Sequence, residues 1–196
     1  TLFPYTTLFR SLTLYAFYGN KEILRRRYPE MLKLVEKRVE FDGMILPEKD
    51  SQQYCDWLSP TGITPDKQFF CGCWYYHMLE RVADVAEILD DTNTCQELRQ
   101  KAQIVKEEFN RRHLVDGGRD YDARNQCGIV LPLAFGLAPE EHRKTLADTL
   151  VQYIREADDH VTTGFVGTRF LFDVLADYGY QELAYRVITA TGFPSW

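Results

Sequence analysis

The sequence predicts an all-α fold, a toroid of helical hairpins with an inner and an outer ring. Two regularities carry that prediction. Stretches with helical period alternate between apolar on every side and apolar on one side. A helix wrapped by neighbours is apolar all round, whereas a helix that touches water needs only one stripe. The connections alternate too. YGN at 18–20, DDTN at 90–93, LAP at 137–139 and YGY at 178–180 are tight, while 42–66, 115–123, 158–166 and 191 onward are long. Connections of one kind emerge on one face. The long loops are therefore expected together, around the N-termini of the inner helices, where free N–H groups suit a polar ligand. Long ordered loops on a rigid scaffold are where sites are built. A helical-hairpin solenoid that binds protein, or a plain bundle, is the alternative that the pattern leaves open.

The elements follow in chain order. Leu24, Tyr28, Met31, Val35 and Val39 form one stripe of an amphipathic helix, and Pro29 inside it predicts a kink or a broken first turn. After a loop from Asp42 to Asp66, residues 67–90 read as a helix that is apolar nearly all round. Residues 94–114 carry a single stripe of Leu98, Ala102, Val105 and Phe109. Residues 124–137, RNQCGIVLPLAFGL, are again almost wholly apolar. Residues 139–157 open with Pro139 and two glutamates, a good helix start, and show a stripe of Leu146, Leu150 and Tyr153. Residues 167–178 lean apolar, and 180–190 form a short amphipathic helix.

The first eleven residues, TLFPYTTLFRS, stand apart. They show no helical stripe, and Pro4 would interrupt a strand. The stretch resembles the in-frame translation of a widely used sequencing-adapter oligonucleotide at all eleven positions. Residues 1–11 are therefore expected to be non-native, and 12–196 to be the natural domain, cut on its upstream side. The abrupt end at GFPSW suggests a second cut.

Composition narrows the function. With 196 residues, 45% of them hydrophobic, the chain can bury a core. A net charge of −6 argues against nucleic acid or an anionic membrane as partner. The five cysteines are an odd number, and Cys71 and Cys73 point apart on a helix. They read as reduced, buried thiols, which favours the cytoplasm over an oxidising compartment. The four histidines are scattered, so no metal and no cofactor are expected.

The long loops carry Asp and aromatic residues side by side. The first holds Tyr54, Asp56 and Trp57, and the second Asp116, Asp120, Tyr121 and Asp122. The third holds Asp158, Asp159, His160, Thr162 and Thr163, and the fourth Phe193 and Trp196. An aromatic face stacks on the C–H side of a sugar ring and carboxylates accept its hydroxyls, so the set suits a sugar pocket. A loop Trp serves as often as a plug for the core, and Asp-Gly clusters are ordinary turn chemistry. Gly164 and Gly167 in TTGFVGTR allow a tight turn before a helix. No strand precedes them and no Lys-Ser/Thr pair follows, which rules out a phosphate loop.

At these loops the sequence resembles the catalytic domain of bacterial α-L-rhamnosidases of glycoside hydrolase family 78. The matching pieces are LYAFYGN, EILRRRYPEM, YCDWLSP, RNQCGIVLPLAFGLAPEE, HVTTGFVGTRFLFDVLADYG, ELAYRVI and FPSW, in the family's order. The resemblance implies an incomplete (α/α)6 barrel, about four of six hairpins, with apolar sides of its terminal inner helices open to water. It implies that Trp57 stacks on rhamnose, that Asp56 bonds its hydroxyls, and that His160, Thr163 and Gly164 lie at the pocket wall. Tyr121 of the second loop joins these as a substrate-binding candidate. Cys55 departs from the family, which usually has Gly before Asp-Trp. The family inverts configuration with two carboxyl groups, which places them roughly 6.5–9.5 Å apart. Its acid lies in an acidic, Arg-containing motif upstream and its base in a Trp-Glu-Trp-like motif downstream. Neither is present, and Glu48 reads as a solvated charge, so no catalytic residue is assigned and the chain alone is expected to be inactive. A fucosidase- or glucoamylase-like enzyme of the same fold and a non-catalytic scaffold are the rival readings.

Overall fold

The structure, a computed structural model, describes residues 4–39 and 55–195. The expectations for Glu48, Tyr54 and Trp196 lie outside the described residues. Eight helices are described there: α1 Pro4–Tyr18, α2 Lys21–Val39, α3 Lys67–Ile88, α4 Thr92–His113, α5 Gln126–Ala134, α6 Glu140–Glu156, α7 Phe165–Asp177 and α8 Gln181–Thr189. The chain divides into two compact units, Thr1–Pro47 with Trp74–Glu107, and Glu48–Cys73 with Glu108–Trp196.

In the first unit α1 and α2 form a hairpin through a tight link. Gly19 sits at φ +66 and its N–H closes the helix on Tyr15 O at 2.7 Å, the left-handed C-cap that glycine permits. The reading of residues 4–11 as non-helical is corrected. Pro4 begins α1, where its missing N–H costs nothing, and Leu8, Ser11, Leu12 and Tyr15 make a partly or fully buried stripe. Phe9 stacks on His77 with ring centroids 5.4 Å apart. α2 runs through Pro29 as one helix, and Leu24, Met31 and Val35 are buried as expected. On α4, Arg99 pairs with Glu80 and Asp84 of α3.

In the second unit α5 packs against α6 and α7, and α7 against α8. Every residue of α5 from Gln126 to Leu133 is buried, whereas α6 buries one stripe, Leu146, Ala147, Leu150, Val151 and Ile154. The alternation read from the sequence holds for α3 to α6. It weakens at the outermost members of the series. α1 exposes Leu14, Phe17 and Tyr18, and α7 exposes Phe165, Arg169, Asp173 and Asp177 along one side. The links after α3, α5 and α7 each hold one left-handed residue: Asp90, Gly136 and Gly179.

One element was not legible. The stretch 115–123 read as loop, yet Leu114–Val115 and Asp120–Tyr121 pair antiparallel as β1 and β2, Leu114 opposite Tyr121. Two-residue strands are too short to show a period of two.

Candidate functional site

The N-termini of α5 and α7 gather the described loops of the second unit. Asn125 caps α5, its side chain accepting from Gly128 N at 2.9 Å. The next residue, Gln126, is buried. Its Nε2 donates to His160 O at 3.1 Å, and its Oε1 accepts from Thr162 N at 3.0 Å. One polar side chain thus pins the third loop to an otherwise apolar helix.

The first loop is tied to α7. Asp56 is fully buried, at 0% exposure. Its Oδ2 accepts from Gly164 N at 2.7 Å, and its Oδ1 accepts from Val166 N at 3.0 Å and Gly167 N at 2.8 Å. Gly164 is the N-cap of α7 and has no side chain to satisfy the first N–H groups, so a carboxylate from a distant segment does it. On α5, burial first and then the negative charge of Asp56 push the Cys127 thiol well above the ordinary range. Glycine is required here by close approach. A Cβ on Gly164 would collide with the carbonyl oxygens of Asp56 and Trp57, and one on Gly167 would lie 2.8 Å from Thr163. Phe165 N donates to Trp57 O at 2.8 Å, and Ser59 Oγ to Thr162 O at 2.9 Å.

What this junction presents outward is aromatic. Trp57 is 52% exposed and Phe165, the first residue of α7, 64%. Their ring centroids lie 5.8 Å apart, tilted by 49°. Trp57 is therefore not a plug for the core. Two neighbours hold strained backbone: Cys55 at φ +48 and Leu58 at φ +63.

The other candidates take different places. His160 is half-buried; its Nδ1 lies 3.1 Å from Ala157 O, and Gly192 of the fourth loop comes up against its Nε2. Thr163 is buried, its Oγ1 2.6 Å from Thr168 Oγ1 inside the turn. Tyr121 has 0% exposure. Its ring meets Phe69 and Phe109, its hydroxyl donates to Asn110 Oδ1 at 2.7 Å, and burial pushes its pKa upward. No part of it reaches solvent. Asp120 beside it is also buried and accepts from Tyr153 Oη at 2.5 Å. Asp116 and Asp120 line an open cavity of ≈ 650 Å³ with Asp148, Tyr153 and Glu156. Among the described residues no group of His, Cys, Asp and Glu is arranged to hold a metal ion, and no helix is long and apolar enough to cross a membrane.

Sequence reasoning brought Asp56, Trp57, Thr163, Gly164 and His160 to one neighbourhood. It missed Phe165, hidden between the two glycines that drew attention, and Gln126, whose signal was a lone amide at the head of an apolar run.

Residues 5–196 match the bacterial alpha-L-rhamnosidase 6 hairpin glycosidase domain. The chain belongs to this family. An alpha-L-rhamnosidase of Streptomyces avermitilis is 32% identical over 187 residues, covering 93% of the chain and 17% of that protein. One from Formosa agariphila is 29% identical over 192 residues, covering 92% and 20%. Among solved structures, the S. avermitilis alpha-L-rhamnosidase in complex with L-rhamnose superposes with a TM-score of 0.88 at 28% identity, over 95% of this chain and 18% of that one. The native enzyme of Aspergillus terreus gives 0.86 at 25% identity, over 97% and 23%. This rhamnosidase-family chain thus spans about a fifth of the length of such relatives, and its helical hairpins are part of an (α/α)6 glycosidase barrel.

Proposed function

We propose that the chain forms part of the sugar-binding wall of an inverting α-L-rhamnosidase, with Trp57 as the face on which rhamnose stacks. The observation that carries this is the exposed Trp57 ring on a loop locked to the N-terminus of α7. A rigid aromatic face suits the C–H side of a pyranose, and its immobility keeps the entropy cost of binding low. His160 stands at the wall beside it, while Thr163 and Gly164 shape the turn beneath. Inversion uses an acid and a base that flank the bond with room for a water between them. No carboxylate of this chain is proposed for either role. Asp56 and Asp120 are buried and engaged.

Titration of the 196-residue chain with L-rhamnose, L-fucose and D-glucose tests the reading. L-rhamnose is expected to bind best, and Trp57→Ala to weaken it about tenfold, the factor a lost stacking contact commonly costs. Preference for L-fucose or D-glucose would move the parent to another glycosidase of this fold. Aryl α-L-rhamnoside is expected to stay intact in the chain's presence; release of the aryl alcohol would overturn the claim that the chain alone is inactive.

A further inference from the structure

We infer that Asp56 is a positioning residue that never touches the sugar: it sets Trp57 and Phe165 as one two-ring surface by capping α7. The inference rests on the reading of Trp57 as the ligand face. It replaces the hydroxyl-binding role that the family resemblance implies for Asp56.

A carboxylate offers about four lone-pair sites. At Asp56 three are taken by the N–H groups of Gly164, Val166 and Gly167. The side chain has no exposed surface. A sugar hydroxyl could reach it only by displacing one of these donors, which would then sit buried without a partner. The space around it is closed as well, since Gly164 and Gly167 have no room for a Cβ and the Gly167 position looks directly at Asp56 Oδ2. The bonds run between segments more than 100 residues apart in sequence, at |i−j| of 108 to 111. Asp56 adjoins Trp57 in the chain, and its partners flank Phe165 on both sides. The same three bonds therefore fix both ring-bearing backbones. The Phe165 N–H to Trp57 O bond closes the unit at 2.8 Å. Helix α7 supplies the positive end that this carboxylate complements, so the clamp uses the free N–H groups of an inner helix and leaves none of these three for a ligand.

The test uses the chain labelled with 5-fluorotryptophan. It has three tryptophans, and the Trp57 resonance is assigned by its loss in Trp57→Phe. In Asp56→Asn one acceptor oxygen is replaced by a donor that faces N–H groups. The Trp57 resonance is expected to shift and broaden while that of Trp74 stays. L-rhamnose affinity should fall about tenfold, as in Trp57→Ala, and the double variant should bind no more weakly than Trp57→Ala alone. A Trp57 resonance that stays in place while affinity falls would mean that Asp56 contacts the sugar, and would overturn the inference. So would a variant unchanged in both. If the unsubstituted chain binds no L-rhamnose yet Asp56→Asn moves Trp57, the clamp stands and the sugar reading falls. Should Asp56→Asn fail to fold, Val166→Pro removes one donor in the first turn of α7, where proline is tolerated, and leaves Asp56 itself intact. A smaller shift of the same resonance is then expected, and none would again overturn the inference.

Discussion

Asp56–Trp57 and Asp120–Tyr121 are the same dipeptide in kind, an aspartate followed by an aromatic in a long loop, and the molecule uses them in opposite ways. Both aspartates are buried. At the first, the carboxylate faces the start of a helix, so the chain must turn with the next side chain outward, and Trp57 stands in solvent. At the second, Asp120 opposes Val115 in a β-ladder and its carboxylate accepts from its neighbour's own N–H at 2.8 Å and from Tyr153. Tyr121 then turns into the cage of Phe69 and Phe109. The direction of an aromatic is thus decided by where the preceding carboxylate finds its donors. That information lies in a remote segment for Asp56 and in the local strand and α6 for Asp120.

The widest separation between the two should appear on truncation. Tyr121→Ala empties a filled site and is expected to lower stability by about 3–5 kcal/mol. Trp57→Ala removes a ring that already meets water, and is expected to cost under about 1 kcal/mol while abolishing the stacking face. Urea unfolding midpoints of the two variants check this. A cost for Trp57→Ala equal to that for Tyr121→Ala would erase the distinction.

Backbone crowding comes next. Gly164→Ala places a methyl against two carbonyl oxygens that belong to the other loop, so neither side can swing away. A loss of about 2–3 kcal/mol is expected. Gly117 in the second loop has φ +67 but open space around it, so Gly117→Ala pays only for its left-handed backbone, about 1 kcal/mol. Thermal unfolding of the pair separates crowding from conformation. Equal losses would show that the loops are not joined as tightly as the Asp56 bonds require. Smaller again is Tyr121→Phe, which keeps the packed ring and loses the hydroxyl to Asn110 Oδ1; about 1 kcal/mol is expected, read by the same melts.

These contrasts also explain what the sequence could convey. Helices were legible because an apolar period of 3.6 is a local signal, and the alternation of α3 to α6 followed from it. The N-terminal helix was not, because its stripe runs through Ser11 and begins at Leu8 within a stretch of mixed composition. The neighbourhood of the site was legible through loop lengths. The roles within it were not. Asp56 and Asp120 differ in where their donors lie, a remote helix start for one and the adjoining N–H with Tyr153 for the other, and Tyr121 differs from Trp57 through the aromatic cage that α3 and α4 supply. No short window of residues contains the α7 donors, Tyr153 or the cage.

Cys55 gives the finest test of the comparison. It precedes Asp56 at φ +48, a left-handed conformation that a side chain disfavours by roughly 1–2 kcal/mol. The Asp56 clamp holds the turn even so, with all three N–H bonds formed. Cys55→Gly relieves the backbone but frees more of the unfolded chain and gives up a half-buried thiol. The net gain expected is about 0.5 kcal/mol, a rise in the melting temperature of roughly 1–2 °C for a chain of this size. The same substitution should leave L-rhamnose affinity unchanged, because the clamp, not residue 55, aims Trp57. If affinity rises together with stability, the strained residue is bending the loop, and the bonds to α7 are a weaker constraint than their geometry implies.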